Sequence, residues 1–285
     1  MPVLRANGIQ IYFEEHGSGE PLLLIMGWGG NAATWQPQLP GLAEHHRLIL
    51  FDNRGVGRSS APDEPYPIPQ MAADTLGVLD ALDVARAHVF GISMGGMIAQ
   101  ELALEHPERV TSLVLGCTTA GSAKAPGATK LHGEIATFGE TVGDDGPDLE
   151  WFAEFLRRLW TKEALMKSGP HLQDFVFSMI RFPPAPHGIR RQAEAIARHD
   201  TFERLHRISV PTLITTGAED TLIDPENSEL LAQLIPNAEL RIFEGLLHAF
   251  HLERPDLVNS VIIEFLARAT RAARKPADGV PAGGD

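Results

Sequence analysis

A serine, an aspartate and a histidine stand at three separate points of this chain where together they would support acyl chemistry. Ser93 is the centre of Gly91-Ile92-Ser93-Met94-Gly95, a match to G-x-S-x-G, the pattern of a serine held on a strained turn between a strand and a helix. Glycine is needed two residues to either side because so tight a turn leaves no room for a Cβ. A serine hydroxyl is a weak nucleophile at neutral pH, so it requires a neighbouring general base and an acid that orients the base. Asp220, within Gly217 to Pro225, and His248, within Gly245 to Phe250, each follow a short apolar run that reads as a strand. Loops leaving strand ends are where such groups are expected.

Taken singly, each residue has a plainer role. Serine at this point also suits a helix N-cap. Asp220 has Glu219 and Asp224 as close rivals, either of which, like Asp220 itself, fits a turn or cap before Pro225. His251 follows His248 by three residues and reads as packing or as a support behind the reacting groups, while His16, His45, His46, His88 and His106 read as surface or strand-end residues. No spacing of histidines and carboxylates suggests a metal site.

The elements that must position these groups follow from the apolar pattern. His88 to Ile92 is short, apolar and β-branched, as a strand buried on both faces would be. From Met94 the spacing turns helical and Pro107 ends it. Earlier, Val3 to Asn7 and Ile9 to Glu15 alternate around Asn7-Gly8, predicting an antiparallel hairpin at a sheet edge. Leu22 to Met26, Arg47 to Phe51, Val110 to Leu115, Val210 to Thr216 and Glu239 to Phe243 read as further strands, with helices at Trp35 to His45, Met71 to Leu82, Pro225 to Leu234 and Pro255 to about Ala272. Between Thr119 and His206 the alternation stops. Helical patterns rich in Trp151, Phe152, Phe155, Trp160 and Phe175 predict a helical insertion covering one end of the sheet. In the polar loop Asp52 to Ser60, Asp52 and Arg54 are expected to brace the turn above through charge-assisted hydrogen bonds; Gly55 and Gly57 lack the rest of a nucleotide-binding pattern.

Composition narrows the function. The 285 residues, 44% hydrophobic and 21% charged, are those of an ordinary globular chain with no apolar run long enough to span a bilayer. Twenty-four basic against 37 acidic residues give a net charge of −13, which argues against a nucleic-acid partner. A single cysteine, Cys117, allows neither an intrachain disulfide nor a Cys-rich metal site. The N-terminus lacks a basic region followed by an apolar one, so a cytoplasmic protein is expected.

From Val3 to about Ala272 the chain resembles the α/β-hydrolase superfamily. The wording of Ile25-Met26-Gly27-Trp28, Asp52 to Ser59 and Gly91 to Gly96 is most similar to the carboxylesterase, 3-oxoadipate enol-lactonase and aclacinomycin methylesterase-like groups. The resemblance implies an α/β fold: a mostly parallel, doubly wound sheet of about eight strands formed by residues 1–118 and 207–272, with a helical cap at 119–206 after strand six; the Gly, Pro, Ala and Asp composition of the C-terminal stretch predicts a disordered tail at 273–285. It selects Ser93 as nucleophile, Asp220 as acid and His248 as base, with the backbone N–H groups of Trp28 and Met94 holding the oxyanion. Many members carry His-Gly where this chain has Met26-Gly27, so no imidazole is expected to hydrogen-bond behind the oxyanion turn, while the backbone donors stay in place. Trp28, Trp151, Phe155 and Trp160 are the expected pocket side chains. The implied activity needs no cofactor and hydrolyses small to medium, largely apolar esters or lactones. Perhydrolysis or haloperoxidase chemistry, and carbon–carbon bond hydrolysis, share the same three residues, and a ligand-binding receptor is the remaining alternative. The expected partner is a small molecule, with neither nucleic acid nor membrane; a homodimer stays open.

Overall fold

The computed structural model describes residues 2–121, 123–127, 131, 133–135, 137 and 148–274. Its strands are β1 (Val3–Ala6), β2 (Ile9–His16), β3 (Pro21–Ile25), β4 (Arg47–Phe51), β5 (Ala87–Ile92), β6 (Val110–Gly116), β7 (Thr212–Gly217) and β8 (Ala238–Phe243). They form one eight-stranded sheet in the order β1-β2-β4-β3-β5-β6-β7-β8. The first two pairings, β1 with β2 and β2 with β4, are antiparallel, and all others are parallel. Asn7 and Gly8 both take positive φ, +47° and +82°, as a two-residue hairpin turn that matches strand twist requires.

Successive residues of a strand face opposite sides, so a sheet covered on both faces needs continuous apolar runs. Leu23, Ile25, Ile49, Phe51, Val89, Leu113 and Ile214 enter the core on one face; Leu22, Leu24, Leu48, Leu50, Phe90, Val114 and Leu213 enter the core on the other. The helices are α1 (Leu39–Ala43), α2 (Ile68–Ala81), α3 (Met94–Glu105), α4 (Leu149–Leu159), α5 (Lys162–Lys167), α6 (Pro170–Arg181), α7 (Pro186–Arg198), α8 (Glu226–Leu234), α9 (Phe250–Glu253) and α10 (Pro255–Arg274). The helix expected from Trp35 to His45 is instead a 3₁₀ segment, Ala32–Gln38, running into the short α1. Pro37 and Pro40 each remove a backbone donor, which breaks a single α-helical ladder. At the C-terminus α10 reaches Arg274, two residues beyond the expected helix end, and the remainder of the tail lies outside the described residues.

Among the described residues between β6 and β7 the only β-pairing is an isolated bridge, Gly121 with Asp200; the rest is helix and loop. Helices α6 and α7 are tied to the loops that leave β3 and β4. Asn31 Nδ2 donates to Ser178 O and Phe182 O, Trp28 Nε1 to Ile189 O, and Gln192 Nε2 to Arg54 O.

Two buried charge clusters brace those loops, though not through the partners the sequence suggests. Asp52 pairs with Arg58, not Arg54, and also accepts from Ala32 N at 2.7 Å. Arg54, with no exposed side-chain surface, grips Asp74 of α2 through Nε and Nη2. His88 and His46, read from the sequence as surface or strand-end residues, are both buried, and His88 is the second residue of β5. His88 sits in the middle of the sheet with Nδ1 against Ser112 Oγ at 2.8 Å and Nε2 against Thr270 Oγ1 at 3.0 Å, and burial lowers its pKa to about 4. Two hydroxyls thus let a neutral imidazole occupy a core position.

No helix among the described residues is long and apolar enough to cross a membrane. Removing one partner of a buried ion pair strands the other charge. Asp74→Ala is therefore expected to lower the free energy of unfolding by about 3–5 kcal/mol, read from the urea midpoint; an unchanged midpoint would mean that Arg54 does not depend on Asp74.

Candidate active site

Ser93 occupies the single residue between β5 and α3 with φ 55° and ψ −119°, a backbone conformation that a residue with a Cβ rarely adopts. The surroundings enforce it. A Cβ on Gly91 would lie 2.2 Å from Gly95 O, and one on Gly95 would lie 2.1 Å from Ile25 O, so neither flanking position admits a side chain. Ser93 N donates to Gly116 O at 2.8 Å, and Thr118 Oγ1 donates to Ser93 O at 2.8 Å, pinning the turn to the end of β6. Although Ser93 is the N-cap residue of α3, its side chain makes no capping hydrogen bond. The hydroxyl instead borders a cavity.

The loop after β7 carries Asp220. Its Oδ1 accepts from Leu222 N at 2.8 Å and Ile223 N at 3.0 Å, leaving Oδ2 for His248 Nδ1 at 2.6 Å. Asp220 and His248 are each 5% exposed. Of the two rival carboxylates, Glu219 is exposed, and exposed Asp224 accepts from Glu226 N at the start of α8. The loop after β8 that holds His248 is fastened by Glu219 N to Leu246 O at 3.0 Å and by Ala249 N to Leu159 O at 2.8 Å.

The other ring nitrogen of His248, Nε2, lies 3.8 Å from Cys117 Sγ, and the same sulfur lies 3.5 Å from His248 O. Among the described residues the ring's bonds go to Asp220 and Cys117, and none joins it to Ser93 Oγ. Hydrogen bonds of this kind are commonly loose before substrate is bound. Burial pulls the pKa of His248 down, but the adjacent Asp220 carboxylate outweighs it and leaves the ring well above its ordinary 6.5. Burial also raises the Cys117 thiol, which therefore stays protonated. Cys117, Asp220 and His248 place three potential ligand atoms within 4.8 Å of one another. A cation there would have to displace the proton between Asp220 and His248. Cys117 was legible only as a lone cysteine; its position directly after β6, beside the elbow strand, is the signal that places it at this site.

The loop after β3 closes the other side. Asn53 Nδ2 donates to Met26 O at 2.9 Å, and Gln192 Oε1 accepts from Gly29 N at 2.9 Å. Gln192, on α7, has no sequence signal of its own. Gly27 lies against the serine turn, where an added Cβ would meet Ser93 Cβ at 3.1 Å. Met94 opens α3, so its N–H is one of those without an intrahelical acceptor.

The cavity shared by Ser93 and His248 is walled mainly by Met26, Trp28, Ile92, Met97, Leu131, Ile135, Phe155, Phe175, Met179 and Leu222. Of the four expected pocket side chains, Trp28 and Phe155 line it. Trp151 does not: it stacks on Phe155 at 5.1 Å and meets Trp28 edge-on at 6.1 Å, one layer behind the wall. Trp160 is also set back, packed edge-on to Phe175 at 6.1 Å, and borders a separate, more polar hollow with Thr161, His171 and Arg254. Sequence spacing carries no information on which face of a helix between β6 and β7 meets which neighbour, so these two placements could not be read in advance.

Comparison with known proteins places this geometry in context. The sequence pattern described as alpha/beta hydrolase fold matches residues 20–255. A protein of Azorhizobium caulinodans named as carbamate hydrolase RutD is 35% identical over 265 residues, covering 93% of this chain and 98% of its own. Among solved structures, a thermophilic esterase from Thermogutta terrifontis superposes with a TM-score of 0.84 at 26% identity, covering 94% of this chain and 99% of its own. The enol-lactonase from Burkholderia xenovorans LB400 superposes at 0.82 with 28% identity, covering 93% of this chain and all of the other. With the family pattern spanning most of the sequence and the sheet order, elbow and loops arranged as described, this chain belongs to the alpha/beta hydrolase fold family.

Proposed function

We propose that this hydrolase cleaves small to medium, largely apolar carboxylic esters or lactones through an acyl-enzyme on Ser93. The observation that carries the reading is a serine on a strained turn, uncommitted to helix capping, that shares an apolar cavity with a histidine already bonded to a buried carboxylate. Substrate entry brings Ser93 Oγ and His248 Nε2 together. Ser93 attacks the carbonyl as His248 takes its proton, and Asp220 holds the ring in the tautomer that leaves Nε2 free to accept. The Trp28 and Met94 amides receive the oxyanion; a donor of this kind contributes about 3 kcal/mol of barrier lowering. His248 then protonates the leaving alcohol and activates the water that frees the acid. Residues 119–206 serve as a cap over the 1–118 and 207–272 core, with Trp28 and Phe155 shaping the acyl side of the pocket.

A carbamate is the second reading, favoured by the name of the relative from Azorhizobium caulinodans. The cavity wall supports the ester instead. Among the described lining residues there is no Lys or Arg to meet a free carbamate anion, and most are aliphatic, aromatic or Met.

Ser93→Ala is expected to lower kcat/KM on p-nitrophenyl butyrate by roughly 10³-fold or more and to abolish labelling by a fluorophosphonate. Wild-type turnover in that variant would remove Ser93 from the mechanism, and faster cleavage of the matching p-nitrophenyl carbamate by the parent enzyme would put the second reading first.

The pH profile carries a sign. A histidine whose pKa is raised remains protonated further up the pH scale and becomes a base only after losing that proton, so kcat/KM should rise with pH to a half-maximum above 6.5. In Asp220→Asn the larger of the groups opposing burial is gone, moving the half-maximum downward while the plateau falls by orders of magnitude. A midpoint that stays put in the variant would contradict the coupling.

A further inference from the structure

The cavity wall holds one polar ring for which the reaction above has no use. His251, three residues beyond His248 on α9, is 2% exposed, and neither Nδ1 nor Nε2 has a hydrogen-bond partner. Its main chain is anchored by the Gln38 side-chain amide, which donates to His251 O, while the ring rests between Trp35 at 5.7 Å and Phe250 at 5.4 Å. A neutral imidazole presents one N–H donor and one acceptor, and burying both unmatched is unfavourable. Thr34, the other polar side chain of the wall apart from Ser93 and His248, is already engaged by Ser178 Oγ and Asn31 N, each at 3.3 Å.

We propose that His251 is a specificity residue whose ring binds a hydroxyl group carried by an uncharged substrate in addition to the scissile carbonyl. This rests on the ester or lactone reading above and narrows its substrate class. A hydroxyl both donates and accepts, so it pairs with either tautomer of the ring; a carbonyl satisfies only one. A carboxylate is disfavoured, because burial holds the ring neutral, with a pKa near 3, and the described wall has no cation to replace it. Trp35 Nε1, Gln38 Oε1 and Asn259 Oδ1 are also buried without partners in the same neighbourhood, so an internal water bridging them to the ring is the competing account.

Two measurements separate these outcomes. First, the parent enzyme is assayed on two matched pairs: ethyl butyrate with ethyl 3-hydroxybutyrate, which places the hydroxyl on the acyl side, and propyl butyrate with 2-hydroxyethyl butyrate, which places it on the alcohol side. A preference of about tenfold for the hydroxylated member is expected in one pair, falling to near unity in His251→Phe; His251→Gln, which keeps a donor and an acceptor, retains part of the preference. Second, Kd for the same esters is measured by calorimetry in Ser93→Ala with and without His251→Phe, a readout that needs no turnover. Equal discrimination in both backgrounds, or none in the parent for either pair, would overturn the assignment and leave the ring to bound water. Discrimination in Kd without hydrolysis by the parent would instead sustain His251 and discard the ester reading.

Discussion

The close passage of α3 across the end of β3 is the constraint on which the site depends. Gly95 O lies where a side chain on Gly91 would be, and Ile25 O where one on Gly95 would be, so three backbone segments meet with no Cβ between them. That contact forces Ser93 into a conformation costing on the order of 1–3 kcal/mol, and the surrounding core must supply it. It does so because β5 is buried along its whole length and hydrogen-bonded on both sides by parallel neighbours. A strained turn at the edge of a sheet would relax; in the centre of an eight-stranded one it has nowhere to move.

Carboxylates taken into the interior here sit against a partner. The chain carries a net −13, yet the buried carboxylates Asp52, Asp74 and Asp220 each accept from a named donor: Arg58, Arg54 and His248. Two of these pairs hold loops that leave β4, and the third orients the ring beside the cavity. Burial of an unpaired charge costs far more than these loops could supply, so the pairing is a condition of having acidic residues so near an apolar cavity.

Much of this was legible in the sequence. The central strands β3, β4 and β5 could be read because a sheet covered on both faces demands nearly uninterrupted apolar runs, whereas the edge strand β8 carries Glu239 and Arg241 among its apolar residues. The serine turn could be read because only glycine fits its flanks. Partner choice was another matter: Asp52 finds Arg58 rather than Arg54, and His88 is a core residue because Ser112 and Thr270, 24 and 182 positions away, happen to face it. Long-range pairings of this kind leave no trace in local spacing. The same holds for Trp151 and Trp160, whose apolar character was plain but whose facing depends on how the helices between β6 and β7 pack, and for His251, whose two unpartnered nitrogens depend on residues far from it in sequence.

The bonds from α6 and α7 to the loop after β3 make the helical segment and the cavity wall beside Ser93 one mechanical unit. Trp28 gives its indole N–H to Ile189 O, Gly29 its amide to Gln192, and Asn31 its side chain to Ser178 O. Enzymes of modular build can exchange a specificity element and keep their chemistry; here a transplanted helical segment that lacks Gln192, or that shifts the Ile189 carbonyl, would release the backbone beside Ser93 as well. New substrate ranges are thus more readily reached by changing side chains within this segment than by swapping it, and drift in α6 and α7 is tethered to a loop that lies outside them.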